Sequence, residues 1–193
     1  MGSGKNGTFD KRPDFNQWAV LVTGCQLPVT GNDSSTLVDG NPSAVNSLLP
    51  SFIQKWLSLF HCKNKIYILK PIEGHGLWDG KEVFGQLPKQ SLYEGKIAVL
   101  TRATIRVSRL KNFWKHVDAV AAQMSTANGF IESYGIGEVP WIKQATFSVW
   151  ESKEQMKAFA YRMKEHAEVI KKTRQEKWYS EDMFVRFEVV SVV

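Results

Sequence analysis

Two cysteines in 193 residues, Cys25 and Cys62, with no CxxC spacing, exclude a disulfide framework and fit free thiols in a reducing compartment, so a cytoplasmic protein is expected. No uninterrupted apolar run approaches the ~20 residues of a membrane span, and the opening Met1 to Lys5 lacks the apolar core of a signal peptide. No run of five basic residues occurs. The net charge of +6 is spread along the chain among acidic residues, so no nucleic-acid partner is expected. A Walker loop, a GxGxxG fingerprint and a serine-histidine-acid order are also missing, which removes the common signatures of nucleotide binding and triad hydrolysis.

What is present is apolar and aromatic: 43% hydrophobic residues, with seven tryptophans and eleven phenylalanines, enough for one core or two small, closely packed ones. Residues 1–16 read as a loose polar arm, Trp18 to Thr23 as a buried strand, and residues 24–44 as a long loop. Phe52, Ile53, Trp56, Leu57 and Phe60 recur at helical spacing behind Pro50, and Lys65 to Lys70 reads as a strand. From Ile97 to Val107 apolar and polar residues alternate, and Ser108 is placed to cap a helix whose stripe is Leu110, Phe113, Trp114, Val117, Val120, Ala121 and Met124. Two strands flank Gly135-Ile-Gly-Glu-Val-Pro, read as a glycine-rich hairpin. Ser152 and Gln155 have capping-box spacing before a stripe of Met156, Phe159, Ala160, Met163, Ala167 and Ile170, and Met183 to Val190 closes the unit as a strand. The expectation is an α+β fold, a ferredoxin-like antiparallel sheet with helices on one face: residues 1–92 an abbreviated N-terminal α+β half, residues 93–193 a complete β-α-β-β-α-β half.

Four histidines are available. His116 falls on a polar helix flank and His61 at a helix end, both ordinary structural or solvated positions. His166, three residues after Met163 and four before Ile170, lies along the edge of an apolar stripe, where a lone histidine is ordinarily a satisfied core residue. No second histidine or carboxylate at i+4 makes a zinc pair with it; if it binds metal, a haem iron fits better, since one protein nitrogen suffices for iron already held by a porphyrin. Phe159, Met163 and Ile170 would then line a flat apolar ligand. His75, in a Gly-His-Gly stretch beside Trp78, is the alternative ligand. Arg102 and Arg106 share a strand face, suited either to carboxylates such as haem propionates or to surface ion pairs.

Ala98-Val-Leu-Thr-Arg-Ala-Thr-Ile-Arg106, Phe113-Trp114, Gly135-Ile-Gly-Glu-Val-Pro-Trp141, Gln144-Ala-Thr-Phe-Ser-Val-Trp150 and Trp178-Tyr-Ser-Glu-Asp-Met-Phe-Val-Arg-Phe187 together resemble the spheroidene monooxygenase family of carotenoid-modifying enzymes. The resemblance runs from Ile97 to Val190; before it, only Ile66 through Gly80 is similar. It implies a dimeric α+β barrel type of scaffold, haem b as cofactor, His166 within Glu165-His166-Ala167 as axial ligand, and oxidation of an apolar, carotenoid-like substrate with O2 supplied with electrons by a donor. A haem enzyme of aldoxime dehydratase type and a non-catalytic haem or apolar-ligand binder remain the alternatives. The Phe52 to Phe60 stripe adds an expectation of peripheral membrane contact, and completion of a barrel by a homodimer is the alternative to two halves in one chain.

Overall fold

β4 (Ile97–Ile105) is the strand on which the C-terminal half is assembled. The computed structural model describes residues 2–3, 13–24, 49–162, 172–173 and 175–193. β4 pairs antiparallel with β6 (Lys143–Trp150) on one side and β7 (Tyr179–Val192) on the other, and β5 (Phe130–Val139) pairs antiparallel with β6. Between them run α2 (Leu110–Ser125) after β4 and α3 (Lys153–Arg162) after β6. The spatial order β7-β4-β6-β5 is the 4-1-3-2 order of a ferredoxin-like sheet. It is extended by β3 (Tyr67–Gly76) beside β7 and by the two-residue strands β1 (Gly2–Ser3) and β2 (Pro13–Asp14) beyond β5.

By contacts the described chain divides into a unit of residues 1–19 and 71–188 and a second of residues 20–70 and 189–193. The second contains α1 (Ser51–Leu59) and the paired ends of β3 and β7, where Ile66 and Val193 exchange both backbone hydrogen bonds.

Period-two alternation places Ile97 and Val99 on the face that carries the helices. They form the core with Trp150, Met156 and Phe159; Val120 and Met124 of α2 pack against it. Trp150 lies 5.4 Å from the Phe130 ring and 5.3 Å from that of Phe159. At the other end of α2, Trp114 and Val117 are buried, and the Trp114 indole donates to the Trp141 carbonyl at 3.2 Å. The serine half of the capping box is made: Ser152 Oγ accepts the Gln155 N–H at 3.2 Å and donates to Gln155 Oε1 at 3.2 Å. Ser108 does not cap α2; a 3-10 turn, Val107–Arg109, precedes it.

Several local expectations give way. The stretch from Trp18 to Thr23 is neither strand nor buried: Trp18 is 57% and Val20 55% exposed, and among the described residues no strand pairs with so short a run. The described residues of the 1–16 arm include β1 and β2. Residues 25–44 lie outside the described residues. β3 continues through Pro71 to Gly76, which an edge strand tolerates because one side needs no N–H donor. Gly135-Ile-Gly-Glu is not a hairpin loop but part of β5; the turn is Pro140 to Ile142, with Trp141 at φ 65°.

Candidate functional site

On the helix-bearing face, the pairing register shows which side chains stand in a row across the sheet. Thr101 on β4 lies opposite Thr146 on β6 and Phe184 on β7, and Thr146 lies opposite Gly135 on β5. The next row is Ala103, Gln144 and Gly137. Apart from Gln144 and Phe184, the middle of the sheet thus carries glycine, threonine and alanine where the row of Ile97, Trp150 and Phe130 carries bulk. The effect on packing is direct. Thr101 is exposed although its strand is paired on both sides, while Val99 and Ala103 before and after it are 4% and 5% exposed. A side chain in an interior strand reaches solvent only where nothing packs over it, so Thr101 is the open floor of a depression beside the helices, with Thr146 half-buried and Gly135 buried next to it.

One edge of that floor is aromatic and cationic. The His75 ring stacks on Phe184 at 5.7 Å and 25°, and the Arg186 guanidinium sits 4.6 Å from the same ring. Arg186 pairs in turn with Glu73, which is 1% exposed, accepts the Ser91 N–H at 2.6 Å and lies 3.4 Å from Lys153 Nζ. Lys153 also donates to the Ser91 carbonyl. Glu73 therefore ties β3, β7, the Ser91 loop and the first residue of α3 together, and burial pulls the Arg186 pKa below its ordinary value.

The opposite face holds Arg102, which is 0% exposed. Its Nε and Nη2 meet the two Glu138 oxygens at 2.8 and 2.9 Å, Nη1 meets Glu181 at 2.8 Å, and Nη2 also meets Asp79 at 2.9 Å. Trp78 lies 5.0 Å from the guanidinium, and Lys143 pairs with Asp79 at 2.7 Å. Burial opposes the charge of Arg102, but the hydrogen bonds with Glu138 and Asp79 outweigh it and hold the pKa above its ordinary value. Glu138 reaches this position as the extra residue of a bulge, where the β5–β6 register shifts between Gly137 and Val139. On this face a cavity of ≈ 390 Å³ also lies between Val83 to Leu87 and the side chains of Met183 and Val185.

The residues singled out from sequence are thus dispersed. Arg102 is committed to protein carboxylates. Arg106 lies beyond the end of β4, after a register shift between Thr104 and Ile105, so the alternation that placed it on a common face with Arg102 does not reach it; its Nε donates to the Tyr179 carbonyl at 3.1 Å. Phe159 is 5% exposed in the core against Trp150. His75 is exposed at the edge of the floor. Met163, His166 and Ile170 lie outside the described residues. Among the described residues no cluster of three or more His, Cys, Asp or Glu is arranged to hold a metal ion. The exposed Thr101, with the Phe184 ring beside it, offers a place for an apolar group to approach the sheet; Thr146 next to it is half-buried and Gly135 is buried. Sequence reading passed over Thr101 and Thr146, although the glycines at 135 and 137, two apart in a strand, signal one face without side chains.

The family model described as a domain of unknown function (DUF3291) matches residues 94–187. The spheroidene monooxygenase of Cereibacter sphaeroides is 28% identical over 194 aligned residues, covering 100% of this chain and 55% of its own length. That of Rubrivivax gelatinosus is 37% identical over 123 residues, covering 64% of this chain and 46% of its own. The chain therefore spans about half the length of these two relatives. Among solved structures, SnoaB, a cofactor-independent oxygenase from Streptomyces nogalater, aligns with 49% of this chain and 93% of its own at 12% identity and a TM-score of 0.40. The chain is thus similar to spheroidene monooxygenases, along its whole length at 28% identity to the first relative and over 64% of it at 37% identity to the second.

Proposed function

We propose that the chain is a haem-dependent monooxygenase that oxidises an apolar, carotenoid-like substrate with O2; His166 would hold the haem iron, and the exposed Thr101 beside Phe184 would face the bound group. The observation that carries the reading is the exposed Thr101 at the centre of an interior strand, in a chain whose relatives are named spheroidene monooxygenases. When bound, the haem supplies the site at which O2 is activated; one oxygen atom goes to the substrate and the other leaves as water, with two electrons from a donor.

The chain's own residues do the rest. Thr101, exposed on the interior strand, leaves space for an apolar group to approach the sheet, and Phe184 gives it an aromatic edge. His166 follows α3 by four residues, and the buried Met156 and Phe159 show which stripe of that helix faces the sheet. His75, at the Phe184 edge, is the second ligand candidate. A neutral imidazole ligand donates its other N–H to a carbonyl or carboxylate, which fixes the ring.

Titration with hemin, followed by absorption, tests the assignment in wild type, His166→Ala and His75→Ala. A sharp Soret band lost only in His166→Ala supports it. Loss only in His75→Ala moves the ligand to the sheet edge, and no band in wild type ends the haem reading. With an acyclic carotenoid and a reductant, O2 uptake matched to product supports monooxygenation. Turnover without O2 uptake favours dehydratase-type chemistry, and binding without turnover favours a carrier.

A further inference from the structure

α1 has five apolar residues among its nine, and at 100° per residue Leu59, Phe52, Trp56, Ile53 and Leu57 span an arc of about 160°. A helix with so wide an apolar face is ordinarily sunk into a core. No residue of α1 is buried. Ile53, Trp56 and Leu57 are half-covered, whereas Phe52, Leu59 and the adjoining Phe60 are 69%, 71% and 62% exposed. Trp56 meets Phe60 edge to face at 5.7 Å, which joins the covered and uncovered parts into one apolar surface. Clusters of large apolar side chains left in water mark an interaction surface.

Charge selects the occupant. From Leu49 to Ile72 the chain contains no Asp or Glu, while Lys55 and Lys63 are exposed. Lys55 borders the arc next to Leu59. We propose that α1 docks in the plane of an anionic phospholipid bilayer, with Phe52, Leu59 and Phe60 entering the headgroup–acyl boundary and the lysines resting among the phosphates. A second copy of the chain suits this surface less well, because a two-fold contact would bring the same lysines face to face without a carboxylate between them. Nine residues are too few to cross, and among the described residues no helix is long and apolar enough to do so. The proposal needs neither haem nor substrate, so it stands or falls apart from the proposed reaction.

Co-sedimentation of the haem-free chain with phosphatidylcholine vesicles, with and without about 30 mol% phosphatidylglycerol, tests it. Expected is binding that depends on the anionic lipid and weakens by about tenfold or more from about 0.1 to 0.5 M salt. The double variant Phe52→Ser/Phe60→Ser should lower affinity at least about tenfold without lowering Tm, since both side chains are exposed. Lys55→Glu/Lys63→Glu should remove the preference for phosphatidylglycerol. Failure of wild type to bind, or undiminished binding by the serine variant, overturns the proposal. So does a dimer in sedimentation velocity that the serine variant dissolves, which would assign the face to a second copy.

Discussion

Arg102 and Glu138 form a two-pronged ion pair across an intervening strand: Nε–Oε1 is 2.8 Å and Nη2–Oε2 is 2.9 Å, although β6 separates β4 from β5. Glu181 from β7 and Asp79 from the loop after β3 complete the set, so one buried guanidinium draws together three strands and a loop. Removing it leaves carboxylates facing one another. Arg102→Met should destabilise the fold by about 3–5 kcal/mol, and adding Glu138→Gln to that variant should recover part of the loss. Urea unfolding of the three proteins measures both effects.

Acid should weaken the same cluster. The Asp79 pKa is held below its ordinary value by Lys143 and then by Arg102. For Glu181 burial pushes upward, but the N–H groups of Gly80 and Asp79, together with Arg102, pull it below its ordinary value. Carboxylates with depressed folded-state pKa values stabilise fully above their unfolded values, roughly pH 4, and lose that contribution as pH falls through the folded values. Tm should therefore hold from pH 7 to about 5 and drop below about 4, with a shallower acid dependence in Arg102→Met.

Filling the floor should separate folding from ligand binding. Thr101 is exposed, so Thr101→Phe should change stability by less than about 1 kcal/mol. If a planar group rests there, its affinity should fall by about tenfold or more. Thermal melts and hemin titration of the same preparation give the two readings; unchanged hemin affinity would place the group elsewhere.

Two glycines with similar backbones should respond differently to alanine. At Gly76, φ is +91° and an added Cβ would lie 2.1 Å from the Asp182 carbonyl oxygen, whereas at Gly80, φ is +75° with nothing within 4 Å. Gly80→Ala carries only left-handed backbone strain, about 1–2 kcal/mol. Gly76→Ala adds a collision with the β7 backbone and should cost clearly more, read as the larger fall in urea midpoint.

How much of this was legible depended on whether the signal was local. β4, α2 and α3 carry periodicities that burial enforces, and the Ser152–Gln155 cap is written within four residues. The Arg102 cluster is not local: its partners lie at 79, 138 and 181, and nothing in the chain near Arg102 names them. Paired glycines at 135 and 137 suggested a turn because turns are where glycine is commonest; here they sit in a strand whose helix-side face lacks side chains. Pro71 suggested the end of a strand that runs on to Gly76, since only edge position, a property of the assembled sheet, permits it. Thr101 looked like any strand threonine, and its exposure arises from what the helices leave uncovered.

β5 departs from regular pairing with β6 at both ends, once between Phe130 and Glu132 and again between Gly137 and Val139. Between these points Ser133, Gly135 and Gly137 face the helices while Glu132, Tyr134 and Ile136 face the other way. A slip of one residue in that segment would exchange the two sets and put Tyr134 and Ile136 where the floor now has glycine. The extra residues, Ile131 and Glu138, act as stops against such a slip, and Glu138 is locked by its bond to Arg102. Refolding fidelity should thus rest on that ion pair: a chain that closes β5 before Arg102 captures Glu138 can zip in the wrong phase, with Tyr134 and Ile136 crowding the side on which Thr101 lies open.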